Sequence, residues 1–220
     1  MSVNTSNQHS LILCKRFRGF LPVVVDIETA GFNYERDAIL EIAIVMLTME
    51  ESGILLPTKT HAYHIKPFEG ANLDREALEF TGIDPYHPFR FAVEEREALL
   101  EICSIIETAL KETNCSKAVL VGHNPMFDLN FLKAAIKRTK IKGPFHKFTT
   151  FDTATLGGLA FGQTVLARAC KAAQITFNVK EAHSAIYDAE RTAELFCKIV
   201  NQWSNAIKEI DSSSLHQNHE

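Results

Sequence analysis

The sequence predicts an α/β fold in which a mixed five-stranded sheet, three antiparallel strands followed by parallel ones, is flanked by helices. Three observations predict it. The first third of the chain carries β-branched and apolar runs separated by short polar connections. The remainder alternates strand-like runs with long segments of helical periodicity. No internal repeat or long low-complexity linker interrupts the 220 residues, so one core accounts for the length.

The elements follow in order. Residues 22–27, 39–47 and 61–65 are apolar runs with polar boundaries, which suits an antiparallel meander. Residues 93–111 place Leu99, Cys103, Ile106 and Leu110 on one helical face. Residues 118–121 form the fourth strand. A helix over 128–140 turns Leu132, Ala135 and Ile136 inward, and another covers 163–173, with a fifth strand expected between them. The last helix, 187–203, carries Ala189, Ala193, Phe196 and Val200 on one stripe. Residues 1–12 and 208–220 are polar and are expected to be flexible tails around a single domain at 13–207.

Composition narrows the function. The chain has no apolar stretch of about 18 residues, so no membrane span is expected. Its first residues, MSVNTSNQHS, lack an apolar signal core. The five cysteines are odd in number, widely spaced and without a CxxC pair, which fits reduced thiols in the cytoplasm. A net charge of −4 excludes a polycationic nucleic-acid binder but leaves room for local patches. Lys15, Arg16 and Arg18 form one such patch. Lys137, Arg138, Lys140 and Lys142 form another, and read alone each is a solvated surface.

Three acidic motifs carry the chemistry. In VVVDIET, Asp26 and Glu28 lie two residues apart on a strand, so both side chains leave one face at its end. Two like charges there repel unless a cation lies between them. In VGHNPMFD, Asp128 falls in the first turn of a helix that follows a strand. In HSAIYD, His183 precedes the last helix and Asp188 opens it. Each acid alone suits a strand exit or a helix N-terminus. Together they are four carboxylates at element ends, where a mixed sheet collects a site. Oxygen ligands suit Mg²⁺ or Mn²⁺ rather than zinc. Two such ions about 4 Å apart can hold the attacking and leaving oxygens of a phosphoryl displacement, and a histidine can take the proton of the attacking water.

The element order is a ribonuclease H-like layout, and the motifs DIET, HNPMFD and HSAIYD resemble those of the DEDDh superfamily of 3′→5′ exonucleases. The segments RFRGFLPVVVDIETAGFN, NLDREALEFTGIDP, PFHKFTTFDTATLGGLAFGQTVLARAC and AHSAIYDAERTAELFCKIVNQW are similar to the bacterial ribonuclease T family, over about residues 13–205. The resemblance implies two Mg²⁺ ions, replaceable by Mn²⁺, on Asp26, Glu28, Asp128 and Asp188, with His183 as general base. It implies that Phe32, Phe80, Phe127 and Phe148 stack on the terminal bases, and that Glu76 lies beside the last one. Stacking tolerates sequence, and the chain holds 15 phenylalanines against one tryptophan and four tyrosines. The resemblance further implies a homodimer in which Arg16, Arg18, Lys111 and Lys117 of one subunit lead RNA into the other's acidic site. Asp152 is a weaker candidate beside the metals and suits a plain strand-end acid equally.

The expected activity is a metal-dependent exoribonuclease that trims the 3′ ends of tRNA, 5S and 23S rRNA and small-RNA precursors to nucleoside 5′-monophosphates. Single-stranded DNA ends are further expected substrates. A DNA proofreading exonuclease and an oligoribonuclease are rivals in the same class. The first leaves Arg16, Arg18 and the GQTVLARAC segment without a role, and GHNPMFD departs from the second motif of the other. A non-catalytic RNA-binding module is the rival from another class, and clustered carboxylates would only repel its ligand.

Overall fold

The computed structural model describes residues 12–216, with side chains described for 12–207. Of the expected tails, residues 1–11 and 217–220 lie outside the described residues, whereas 208–216 continue the last helix rather than forming a tail. Strand β1 (Phe20–Thr29) carries the run Leu21–Val25, every member of which is buried. An unbroken apolar run suits a strand covered on both faces, and β1 is the middle strand of the sheet. The strand order is β3-β2-β1-β4-β5. Strand β2 (Ile39–Met49) is antiparallel to β1, and β3 (Leu55–His64) is antiparallel to β2. Strands β4 (Lys117–Gly122) and β5 (Phe145–Asp152) run parallel to β1. The expected mixed five-stranded sheet is present.

Among the described residues a helical segment at 12–16 precedes β1, and six further α-helices accompany the sheet: α1 (Arg75–Thr81), α2 (Glu95–Thr113), α3 (Met126–Thr139), α4 (Thr153–Phe161), α5 (Leu166–Ala172) and α6 (Ala185–His216). One core joins β1 and β2 to Leu99, Ile102 and Ile106 of α2, Leu129, Phe131 and Leu132 of α3, and Ala189, Ala193 and Phe196 of α6. Phe17, just before β1, lies 5.5 Å from Phe151 of β5 and 6.2 Å from Phe196, which ties the chain start to the sheet and to α6. Burial of each such ring contributes about 2–3 kcal/mol.

The structure departs from the sequence expectation in four places, the first being helix α1, which lies in a segment for which no helix was expected. Strand β3 starts at Leu55 rather than 61. It is an edge strand, so Pro57 and the exposed Thr58 and Lys59 are tolerated where an apolar run would be sought. Helix α4 lies in a segment for which no helix was expected, and it holds Gly157 and Gly158, a residue type that weakens a helix. A Cβ on Gly157 would stand 2.9 Å from the Gln163 carbonyl oxygen, so the glycine lets the following chain pack against the helix. Helix α6 continues to His216, past the expected end at 203.

Candidate active site

The sheet order places the end of β1 between β2 and β4, and four acids gather there from three elements. Asp26 and Glu28 share one face of β1, with Ile27 between them on the other. Asp128, in the first turn of α3, is 5% exposed. Its Oδ1 accepts the Ile27 backbone N–H at 3.1 Å, which pins α3 to β1 between the two acids. Asp188 lies in the first turn of α6, and its Oδ2 accepts the backbone N–H of His183 at 3.0 Å. That bond folds the His183 loop back onto the helix, with His183 at φ 68. One ligand atom each of Glu28, His183 and Asp188 lie within 4.8 Å of one another. The structure therefore brings Asp26, Glu28, Asp128, His183 and Asp188 into one region.

The electrostatics call for a cation. Burial, then the charges of Asp128, Glu28, Asp188 and Glu41, hold the Asp26 carboxyl well above its ordinary range. Burial and the neighbouring Asp188, Glu41 and Asp128 push Glu28 up to about 8. Burial raises Asp128 to about 8 against the two backbone hydrogen bonds that favour its charged form. Burial also raises Asp188. Asp188 Oδ1 is buried and has no hydrogen-bond partner among the described residues. An orphaned carboxylate oxygen beside three disfavoured charges fits divalent cations. An oxygen-rich donor set suits a hard ion, and Asp26, Glu28, Asp128 and Asp188 are the residues that could hold one.

Asp152 and the HN pair turn out to be scaffolding. Asp152 caps α4, accepting from the N–H groups of Ala154 at 3.0 Å and Thr155 at 3.3 Å. Its Oδ1 also accepts the Asn124 N–H at 3.0 Å, holding Asn124 at φ 64 just before α3. His123 bonds Thr153 Oγ1 at 3.0 Å and the Thr164 carbonyl at 2.8 Å. These contacts aim the turn that delivers Asp128.

Beside the acids lies a cavity of about 560 Å³, lined by Glu28, Phe32, Glu76, Phe80 and Phe127, among others. Phe32 and Phe80 are 86% and 68% exposed, far more than structural phenylalanines. The Phe80 ring lies 4.4 Å from the His183 imidazole, and Phe32 lies 6.2 Å from Phe127. Phe148 is not among the residues lining this cavity. It projects from β5 into a groove of about 670 Å³, with Phe20, Phe145, His146, Lys117, Lys133, Lys137, Lys142 and Lys147 along it. Lys117, one of the four residues that the resemblance implies lead RNA, thus lines the same groove as Lys137 and Lys142 of the second patch. Arg138 turns away, pairing with the buried Glu95 at 2.6 Å and lying 3.8 Å from the centre of the Phe68 ring. Arg16, Arg18 and Lys111 are exposed, with Arg16 and Arg18 over Phe17 and Phe20.

Glu41 and Asp37 escaped the sequence reading. Glu41 faces Glu28 across the β1–β2 ladder, bonds His64 Nδ1 at 3.0 Å and accepts the Ala185 N–H at 3.4 Å. Its one signal is a charge inside the apolar run ILEIAI.

Comparison with known proteins fits this geometry. The exonuclease family model, of ribonuclease T type, matches residues 23–196. Ribonuclease T of Marinobacter nauticus is 63% identical over 202 residues, 91% of each chain. The chain belongs to the ribonuclease T exonuclease family. Ribonuclease T of Vibrio parahaemolyticus is 59% identical over 90% of this chain and 94% of its own. That of Buchnera aphidicola is 60% identical over 87% and 88%. Among solved structures, Escherichia coli exonuclease I in complex with a dT13 oligonucleotide matches with a TM-score of 0.65 at 16% identity. The match covers 86% of this chain but 43% of that one, so it shows the shared fold. This family membership makes the chain a 3′→5′ exoribonuclease, a phosphodiester hydrolase. No described helix is long and apolar enough to cross a membrane.

Proposed function

We propose that this exoribonuclease removes nucleotides one at a time from the 3′ ends of stable RNAs in the cytoplasm: tRNA, 5S and 23S rRNA and small-RNA precursors. Single-stranded DNA ends would be secondary substrates. The observation that carries the reading is the convergence of four carboxylates and His183 beside an open aromatic cavity. Asp26, Glu28, Asp128 and Asp188 would hold two Mg²⁺ ions, or Mn²⁺ in their place. Bound there, divalent cations would neutralise the cluster and offset the charge that builds on the phosphoryl oxygens.

The protein side of the reaction follows from the layout. The terminal base enters the cavity and stacks on Phe32 and Phe80, with Phe127 behind and Glu76 at its edge. That seats the last phosphodiester over the acids and excludes water from one side. His183 accepts a proton from water as the water oxygen attacks phosphorus. The P–O3′ bond breaks, the O3′ of the shortened RNA takes up a proton, and a nucleoside 5′-monophosphate leaves. His183 is exposed and rests against Phe80, so base stacking and proton transfer share a wall.

Arg16, Arg18, Lys111, Lys117 and the groove that ends at Phe148 would guide the RNA body. In a homodimer they would serve the partner's acidic site, which lets an acidic protein bind a polyanion. The test is product analysis. RNA labelled in its last nucleotide should yield only labelled 5′-monophosphate. Nucleoside 3′-monophosphates or internal fragments would overturn the proposal.

A further inference from the structure

We propose that Asp37 is the positioning residue of the aromatic cavity: it cross-braces the two walls and so sets the slot between Phe32 and the Glu76/Phe80 side. The inference rests on the proposed reading of that cavity as the terminal-base site.

Phe32 is 86% exposed, so its own packing holds it weakly. Its ring lies edge-on to Phe127 at 6.2 Å. Its place is therefore set by the backbone turn that carries it. Asp37 closes that turn. Its Oδ2 accepts the Asn33 N–H at 2.7 Å, and its own N–H donates to the Asn33 carbonyl at 2.8 Å. The other oxygen, Oδ1, accepts from Asn72 Nδ2 at 2.8 Å. Asn72 belongs to the opposite wall. It leads through Leu73 to Asp74, the N-cap of α1, which carries Glu76 and Phe80. Two backbone bonds run beside the brace, from Asn72 N–H to Arg36 and from Asp74 N–H to Ala30, both at 2.8 Å.

Asp37 is 4% exposed and lines the cavity itself. Gly31 makes room for it: a Cβ there would fall 2.1 Å from Asp37 Oδ2. A buried carboxylate with each oxygen bound to a different wall is a spacer, and the amide donors that hold it are neutral. A stacking slot displaced by a fraction of a ring width grips the terminal base less well and weakens binding of the RNA end.

The test compares Asp37→Ala, Asn72→Ala and Asp37→Asn. Asparagine keeps an acceptor for Asn33 and can donate to Asn72 once that amide turns over. The readouts are KM and kcat on a single-stranded RNA and the quenching of 2-aminopurine placed as its last base, all well below each variant's unfolding temperature. Asp37→Ala should raise KM about tenfold or more and halve the quench, with kcat within about threefold; Asn72→Ala should raise KM by about three- to tenfold. Asp37→Asn should stay within about threefold of wild type. Wild-type KM and quench in Asp37→Ala overturn the proposal. An Asp37→Asn protein as impaired as the alanine variant also overturns it, because charge rather than bracing would then be at work. If Asp37→Ala fails to fold, Asn72→Ala decides, and an unchanged KM there overturns it. Equal quenching by wild type and Phe32→Ala would instead remove the base-site reading, whatever the Asp37 variants do.

Discussion

Replacing Glu28 by Gln removes one charge from the acidic cluster while keeping its shape, and the expected consequence for the metal-free protein is a gain in stability. Glu28 titrates at about 8 in the fold against about 4.5 as a free side chain. The folded state therefore retains a proton that the unfolded chain gives up above about pH 4.5. Stability from this group is complete below that pH, declines as pH rises, and is lost by about pH 8. At about 1.36 kcal/mol per pH unit between 4.5 and 7, the position costs the metal-free fold about 3 kcal/mol at pH 7. For a chain of this size about 1 kcal/mol corresponds to about 2–4 °C in Tm, so the variant should melt roughly 6–12 °C higher. The assay is thermal melting in EDTA at pH 6, 7 and 8. The gap between wild type and Glu28→Gln should widen with pH. Adding Mg²⁺ or Mn²⁺ should raise the wild-type Tm most at pH 8 and should do little for the variant. A Glu28→Gln protein no more stable than wild type at pH 8 in EDTA would refute the electrostatic reasoning.

Three further outcomes are expected. Phe32→Ala and Phe80→Ala should leave Tm nearly unchanged, because both rings are exposed, while each raises KM by the loss of about 1–3 kcal/mol of stacking, seen in steady-state kinetics. Asp152→Ala should lower stability by about 1–2 kcal/mol through the lost α4 cap, and a Mg²⁺ titration should show a raised metal requirement as the Asn124 turn loosens around Asp128. Arg16→Ala combined with Arg18→Ala should flatten the dependence of RNA affinity on salt by about 1.4 in log–log slope, measured by filter binding.

The four acids and His183 were legible because their motifs occupy element boundaries, where spacing along the chain translates into shared direction. Asp26 and Glu28 needed only the two-residue strand period. The central strands were legible for a similar reason: Val23–Val25 is buried on both faces and reads as an unbroken run. Strand β3 began earlier than expected because an edge strand tolerates Pro57 and Lys59. Helix α4 stayed hidden because Gly157 serves a close approach that local sequence does not reveal. Glu41 and Asp37 were illegible as site residues for a different reason. Glu41 meets the cluster only through strand register, and Asp37 acts through Asn72, 35 positions away. Phe148, grouped with the other phenylalanines by resemblance, emerges on the lysine-lined groove, since β5 lies on the far side of β4 from β1.

The most direct measurement is the digestion of 5′-labelled single-stranded RNA by wild type and Asp188→Asn, each with Mg²⁺ and with EDTA. Asp188 supplies a buried carboxylate oxygen left without a hydrogen-bond partner among the described residues, so its loss should affect cation holding before anything else. The expected result is a ladder of products shortened by single nucleotides with wild type and Mg²⁺, and intact RNA in the other three reactions. Shortening in EDTA, or by Asp188→Asn at the wild-type rate, would contradict a metal-dependent site built on these acids.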